Sequence, residues 1–579
     1  PSPPPIDGVA RANLYGLGNG QGQLLLLTPK PESPPPLLAG IIQDARALVS
    51  RELPGQRLHL GGVWYLTDTL DRFSASSTRS LFPLVVVILA VGVFLSLRRS
   101  PRHTALTLVC GLLPALYLAG LLALAGEPLN MVLLSLPPFT MIMGIAHAVH
   151  FLKKESGQEP LALYAEVAVP CLLSAVTDML GFLSLMVSTY EPVQKLGLWG
   201  GGGALLAVVV PLLLVPALAH TETASTPQGA PAKLLWQGWA RALTHHRGMV
   251  LAGMGGLLLL ASFGINRLEH GSYILAFFKP ASPVNSDYRA IETAGIGLTP
   301  LEIDLDGAPV EGRAVQQAMQ ELGARHPEIT HFLFTHDRAG SLVLPLAVND
   351  GALLDAPLLP GLSAGPPVRV TILTRTLASE KTMALVDRIE EELQSLLGPR
   401  QTPYVTGTVP LYTAGQRALF TTLLGSFSSA FVSISLIMAL ALRSLRLAVF
   451  AVIPNLTPVV FILGAMGFGG IPLSVATVTV ASVVYGIVVD DTIHFLHTWR
   501  ARQKSCPDAM VRLAEVLTQV GPAMLTTSMV AGAGFLGFLA SPFIPLRDFG
   551  LLISLALLFA VLCDLVLLPV LLLSFRKNP

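Results

Sequence analysis

The chain has 579 residues, of which 52% are hydrophobic and only 13% charged, and its mean hydropathy is +0.63. A soluble globular domain carries about 25% charged residues, so this composition excludes one. A net charge of +1 gives no footing for nucleic acid. The cysteines Cys110, Cys171, Cys506 and Cys563, three of them inside apolar runs, suggest no disulfide framework.

In chain order, residues 1–80 are not membrane-like. Their glycine-rich GLGNGQG at 16–22 lacks the strand–turn–helix unit and following acid of a nucleotide site, and QLLLLTPK at 23–30 reads as a strand followed by a helix. Apolar runs then recur at 81–98, 104–125, 129–152, 168–188 and 196–219. Each is close to the ~20 residues that a bilayer core of ~30 Å demands of a helix. A linker at 220–247 leads to a further span at 248–266. Region 267–420 departs from the membrane pattern. Strand-like Leu301 to Leu305 and Val368 to Leu373 alternate there with helical Ala314 to Leu322 and Glu380 to Leu397, which predicts α/β modules. Spans resume at 421–442, 447–468, 472–497, 518–540 and 548–575, making eleven.

Lysine and arginine gather in alternate short loops. Arg98, Arg99 and Arg102, then Lys153 and Lys154, then Lys233, Arg241 and Arg247 lie on one side. Arg443, Arg446, Arg500, Arg502, Lys504, Arg512, Arg576 and Lys577 occupy the matching ends later, against only Lys195 and Arg547 in the opposite short loops. The bias predicts a cytoplasmic C-terminus, with both non-membrane regions facing the periplasm of a bacterial inner membrane.

The chain also parallels itself. AVHFLKK at 148–154 matches TIHFLHT at 492–498, and GFLSLMVSTYEPVQKLG at 181–197 matches GFLGFLASPFIPLRDFG at 534–550. The expected organisation is two tandem repeats, each an outer domain plus membrane helices. Residues 1–80 would be the second half of the first outer domain, 81–219 the first transmembrane repeat and 220–247 a cytoplasmic linker. The first helix of the second repeat would be 248–266, its outer domain 267–420 and its remaining helices 421–579. By this parallel a first helix and roughly 70 residues would precede Pro1 in the intact protein.

The chemistry concentrates in YGIVVDDTIHFLHTWR at 485–500. Each charge of Asp490 and Asp491 would cost about 2.5–3.5 kcal/mol inside an apolar span, and two adjacent carboxylates cannot both ionise cheaply. Acids that exchange protons inside a membrane are what a proton relay requires. His494, four residues after Asp490 and three after Asp491, shares their helical face.

GIVVDDTIHFL resembles the signature of the fourth and tenth helices in the resistance–nodulation–division superfamily, above all its predicted-exporter branch. That branch holds the mycobacterial-large-membrane-protein-like families and their hopanoid and sterol-sensing-domain relatives. The resemblance implies a twelve-helix α-helical polytopic membrane protein with two α/β porter-like periplasmic domains. It also implies proton coupling at Asp490 and, with it, Asp491. In the first half, MGIAHAVHFL at 143–152 sets Ala146 opposite Asp490 and His147 opposite Asp491. Two readings of His147 stand: an imidazole that pairs with the acids and exchanges protons, or a neutral ring donating to a backbone carbonyl. His150 and His494 occupy equivalent repeat positions, where packing competes with relay.

Thr526, Thr527 and Ser528, with Thr527 set against Ser174 by the repeat, offer either a hydroxyl relay or ordinary helix contacts. Asp178 and Asp564 are single acids within spans that either face a polar cavity or reach an interface. Gly200 to Gly203, Gly532 and Gly534 suit close helix approach.

The resulting expectation is a secondary transporter driven by a proton gradient, with no other cofactor and no enzymatic constellation. No GxxxxGK[ST] loop for ATP is present, and the spacing of Asp491, His494 and His497 is read as incidental rather than as a metal site. The expected substrate is a hydrophobic molecule, a hopanoid, sterol or other lipid, handed to the periplasm or to a soluble carrier protein, with a homo-oligomer left open. A non-pumping lipid sensor, multidrug efflux and a scaffold role are the alternatives.

Overall fold

The computed structural model describes residues 9–16, 23–29, 35–97, 100–128, 132–152, 160–218, 230–268, 274–304, 312–335, 343–347, 369–377, 379–397, 404–503 and 505–574. Residues 17–22 of the glycine-rich run, and Arg98, Arg99, Lys153, Lys154, Lys504, Arg576 and Lys577, lie outside this set.

A hairpin of β1 (Val9–Gly16) and β2 (Gln23–Pro29) leads into α1 (Pro35–Glu52) and α2 (Val63–Ser96). Apolar helices follow: α3 (Pro101–Leu124), α4 (Leu136–Leu152), α5 (Pro160–Leu183) and α6 (Glu191–Leu218). The amphipathic α7 (Ala230–His245) precedes α8 (Arg247–Ile265). The next segment holds α9 (Pro283–Thr293), β3 (Thr299–Asp304), α10 (Gly312–Arg325) and β4 (Ile329–Thr335). Then come β5 (Val343–Ala347), β6 (Arg369–Thr374), α11 (Ser379–Leu397) and β7 (Tyr404–Thr406). The remainder is helical: α12 (Thr408–Leu442), α13 (Leu445–Gly469), α14 (Val475–Ala501), α15 (Ala509–Leu536), α16 (Ile544–Leu562) and α17 (Leu568–Ser574). One turn of π-helix, Cys563–Leu567, joins the last two.

Among the described residues ten helical stretches are long and apolar enough to cross a membrane, so the chain is a polytopic membrane protein. The expected span at 81–98 differs: its apolar part is the shorter Ser80–Ser96 within α2, because the run ends just before Arg98 and Arg99.

The chain divides into two compact units, Pro1–Ala75 with Gly271–Gly415, and Ser76–His270 with Gln416–Pro579. In the first, β5-β4-β6-β3-β7 form a sheet whose neighbouring strands are all antiparallel. Since β6 lies between β3 and β4, and β3 between β6 and β7, the segments β3–α10–β4 and β6–α11–β7 are two interlocked split βαβ units, a ferredoxin-like arrangement. Alternation along the strands sends Leu301, Ile303, Val370 and Ile372 inward against Val315, Met319, Leu322, Leu385 and Ile389. The alternation of strands and helices expected for 267–420 is thus present.

Residues 1–80 and 267–420 read from the sequence as separate outer regions, whereas their described parts up to Ala75 and from Ile274 to Gly415 share one unit. Tyr65 and Leu66 of α2 pack with Leu275, Phe278, Val284 and Tyr288. The Tyr65 hydroxyl donates to Asp287 at 2.9 Å, and His59 Nδ1 lies 3.0 Å from the same carboxylate.

In the second unit, the stretches containing α4 and α14 are 89% and 78% buried, against 11% for α8. Helices apolar on all sides take the centre, and their few polar groups must find partners there or stay unpaired. Ser474 and Thr477 close a reciprocal capping box that sets the start of α14, four turns before the acid pair. The linker expected at 220–247 contains α7, which packs on α15 with the Trp236 ring over Gly521.

Candidate functional site

The site is built by the crossing of α5 over α14. Gly181 and Gly486 meet so closely that a Cβ on Gly486 would lie 3.1 Å from the Thr177 carbonyl oxygen and 3.3 Å from the Gly181 Cα. Asp490, one turn beyond Gly486, therefore faces α5. Asp491 is turned about 100° further round the helix, toward α15. Consecutive in sequence, the two carboxylates address different neighbours.

Asp490 meets imidazoles. Its Oδ1 lies 3.5 Å from His494 Nε2, and its Oδ2 lies 3.9 Å from His150 Nε2 on α4. Asp491 Oδ1 is 4.0 Å from the same His150 nitrogen, and Asp491 Oδ2 accepts a 2.8 Å hydrogen bond from Ser528 on α15. The rings of His150 and His494 stack with centroids 4.1 Å apart and planes 2° from parallel. Cys171 Sγ of α5 lies 3.8 Å from His494 Nε2. Four helices thus converge on one group of two carboxylates and two imidazoles.

Two ionised carboxylates beside two neutral imidazoles carry two negative charges, and two protons bring the group to zero. In a low-dielectric interior the neutral count is strongly favoured, so the number of bound protons and the packing of four helices are linked. Among the described residues Asp490 Oδ1 and Asp491 Oδ1 have no hydrogen-bond partner, a costly state for buried oxygens.

One donor atom from each of His150, Asp490 and His494 falls within 4.8 Å of the others. Imidazole lone pairs lie in the ring plane, however, and two stacked parallel planes do not converge on a single ion about 2.0–2.1 Å from each nitrogen. One ring would have to turn before a metal could sit there.

The residues singled out from sequence are divided by the structure. Asp490, Asp491 and His494 come together as their spacing implies. His147, set opposite the acids by the sequence parallel, is 1% exposed, and neither ring nitrogen has a hydrogen-bond partner among the described residues. Among the described residues it makes no hydrogen bond to a backbone carbonyl and no ion pair within 4.0 Å, while its ring lies close enough to Asp490 and His150 to interact electrostatically with both. His150, one turn further along α4, is the imidazole within 4.0 Å of both acids. Thr527 bonds back to Ala523 and Met524 of its own helix, each at 3.0 Å, and Thr526 likewise to Pro522, so the hydroxyl on Asp491 is that of Ser528. Ser174 is fully buried on α5 and neighbours Asp490. Asp178, 4% exposed on the same helix, has no hydrogen-bond partner for its Oδ1 among the described residues. Asp564 belongs to a different group, with Thr492 and Asn455. Sequence reasoning passed over Cys171, Thr492 and Asn455. Asn455, an amide between Pro454 and Pro458 in an otherwise apolar span, was the visible signal.

Residues 419–573 match the Patched family model, described as Patched SSD, the sterol-sensing domain. That stretch contains α13 to α16 with Asp490, Asp491, Asp564 and Ser528. A membrane protein of Methanocaldococcus jannaschii is 28% identical over 207 residues, covering 34% of this chain. The match spans 52%, about half, of that relative's length.

Proposed function

We propose that this protein moves a lipid or other hydrophobic molecule across or out of the membrane, using protons bound and released by the His150–Asp490–Asp491–His494 group. The observation that carries this reading is the placement of both carboxylates within 4.0 Å of one imidazole, on helices from the two halves of the membrane unit. A structural pair would be satisfied at lower cost by neutral side chains. Changing the proton count alters the repulsion and hydrogen bonding that hold α4, α5, α14 and α15 together. Each charge crossing 100 mV of membrane potential supplies about 2.3 kcal/mol for such repacking.

The Patched SSD match over 419–573 supports a sterol or related lipid as cargo. In this reading the protein is a secondary transporter rather than an enzyme. It lies in a bacterial inner membrane with its C-terminus cytoplasmic and its α/β unit periplasmic. It is built from two tandem repeats and passes cargo to the periplasm or a soluble carrier. The test is transport into vesicles under an imposed pH gradient. Asp490→Asn keeps the shape and removes the proton site, so flux should fall at least about tenfold with insertion intact, a barrier change of about 1.4 kcal/mol. Wild-type flux in the variant would remove the proton role. The same match supports a second reading, a lipid sensor that does not pump, in which the wild-type protein binds lipid but shows no flux that follows the pH gradient.

A further inference from the structure

On the far side of α14 from the stacked histidines lies a second buried polar group. Thr492 is two residues beyond Asp490, about 200° round the helix. Thr492, Asn455 of α13 and Asp564 of the π-turn are each at most 1% exposed. Thr492 Oγ1 lies 2.8 Å from Asn455 Oδ1 and 2.5 Å from Asp564 Oδ1.

A hydroxyl has one proton, and two oxygens stand ready to accept it. In the orientation it holds, the Asn455 amide does not supply the second: its Oδ1 faces Thr492 and its Nδ2 faces Met438 Sδ, 3.9 Å away. The arrangement closes if Asp564 is a carboxylic acid: its Oδ1–H donates to Thr492 Oγ1, whose own proton goes to Asn455 Oδ1. A separation of 2.5 Å lies at the short end for an O–H···O bond, as expected with an acid as donor. An ionised Asp564 would leave one of the two contacts as lone pair against lone pair. Oxygens this close leave no room for a metal cation between them.

The π-turn that presents Asp564 has a local cause. Pro569 lacks the N–H that would bond the Leu565 carbonyl four residues back. That carbonyl instead accepts from Trp239 Nε1 of α7 at 3.1 Å. Single π-turns of this kind collect at functional positions. On the elements packed against this turn, the ionisable groups are Asp490 and Asp491, with Tyr485 before them and His494, His497 and Arg500 further along α14, Arg241 and His245 on α7, and Cys563 beside Asp564. Arg446, Arg247, and Arg547 with Asp548, stand near the starts of α13, α8 and α16.

We propose that Asp564, Thr492 and Asn455 form a proton-binding site separate from the histidine–acid group, with Asp564 as the acid that carries the proton. Thr492 and Asp491 are consecutive on α14, so release of the Asp564 proton reorients the Thr492 hydroxyl beside the Ser528–Asp491 bond. The site stands without the transport reading, and its test involves no transport.

The experiment is infrared spectroscopy of the purified full chain in lipid nanodiscs at neutral pH, reading the carbonyl stretch of protonated carboxylic acids and its shift in heavy water. One such band should disappear in Asp564→Asn, whose amide N–H still donates to Thr492 and so preserves the packing. The same band should move to higher frequency in Thr492→Val, which removes its acceptor. A full set of bands in Asp564→Asn would overturn the proposal, as would a wild-type band unmoved by Thr492→Val. A band that vanishes on adding sodium chloride at constant pH would identify a cation site instead. Should Asp564→Asn fail to fold, the Thr492→Val shift decides alone.

Discussion

At the scale of single residues, the two members of the acid pair are not equivalent. Asp490 lies between His494 and His150, whereas Asp491 shares His150 and accepts from the Ser528 hydroxyl, a consequence of the ~100° that separates neighbours on a helix. The i, i+4 relation of Asp490 to His494 was legible in the sequence for that reason. The choice between His147 and His150 was not. They are three apart on α4, nearly on one face, and only the height at which α4 meets α14 selects between them. His150→Phe keeps a ring to stack on His494 and removes the nitrogen shared by both acids. Proton-driven flux in vesicles should fall at least about tenfold, while His147→Phe, which breaks no hydrogen bond, should change it by no more than about threefold. Equal losses in the two variants would mean that His147 takes part without a direct hydrogen bond.

At the scale of elements, the site depends on how helices are turned and how closely they approach. Thr527 and Ser528 are adjacent, yet one bonds its own helix and the other crosses to Asp491; the rotation of α15 decides, and composition does not encode it. The contact of α5 with α14 is set by Gly181 and Gly486. Gly486→Val would drive a branched side chain into the Thr177 carbonyl, 3.1 Å from where its Cβ must sit. Neither backbone can yield cheaply, so the variant should lose about 1–3 kcal/mol of stability. A lowered melting temperature in detergent, with flux lost alongside, is the expected result. An unchanged melting temperature would show that the two helices can separate freely. The π-turn at 563–567 was equally hidden, since CDLVL holds neither proline nor glycine and its cause, Pro569, lies downstream.

At the scale of the whole molecule, the hydropathy pattern marks ten described helical stretches as able to cross a bilayer, and the α/β unit is assembled from two distant segments. A lipid mover of the kind proposed should keep its cargo through mild purification. Mass spectrometry of lipids retained by the detergent-purified protein should show one class, sterol-like or otherwise, enriched at least about tenfold over total membrane lipid, a preference of about 1.4 kcal/mol. A retained profile identical to the bulk membrane would point away from lipid and toward soluble amphiphiles.

Sequence alone determined what depends on neighbours along the chain. The polytopic membrane class follows from run length against bilayer thickness, β3, α10, β6 and α11 from their periods, and the acid pair from the cost of charge in an apolar span, while β4 and β5 were not read. Tertiary structure decided what depends on rotation and approach. It brought His150 rather than His147 to the acids, gave Asp491 to Ser528, and joined Asp564 to Thr492 and Asn455 across three helical segments. It also gathered 9–75 and 274–415 into one unit through the packing of Tyr65 and Leu66 on Phe278 and Tyr288. The physical reason is that a helix inside a bilayer satisfies its own backbone wherever it lies. Its depth and rotation are left to side-chain packing between residues hundreds of positions apart.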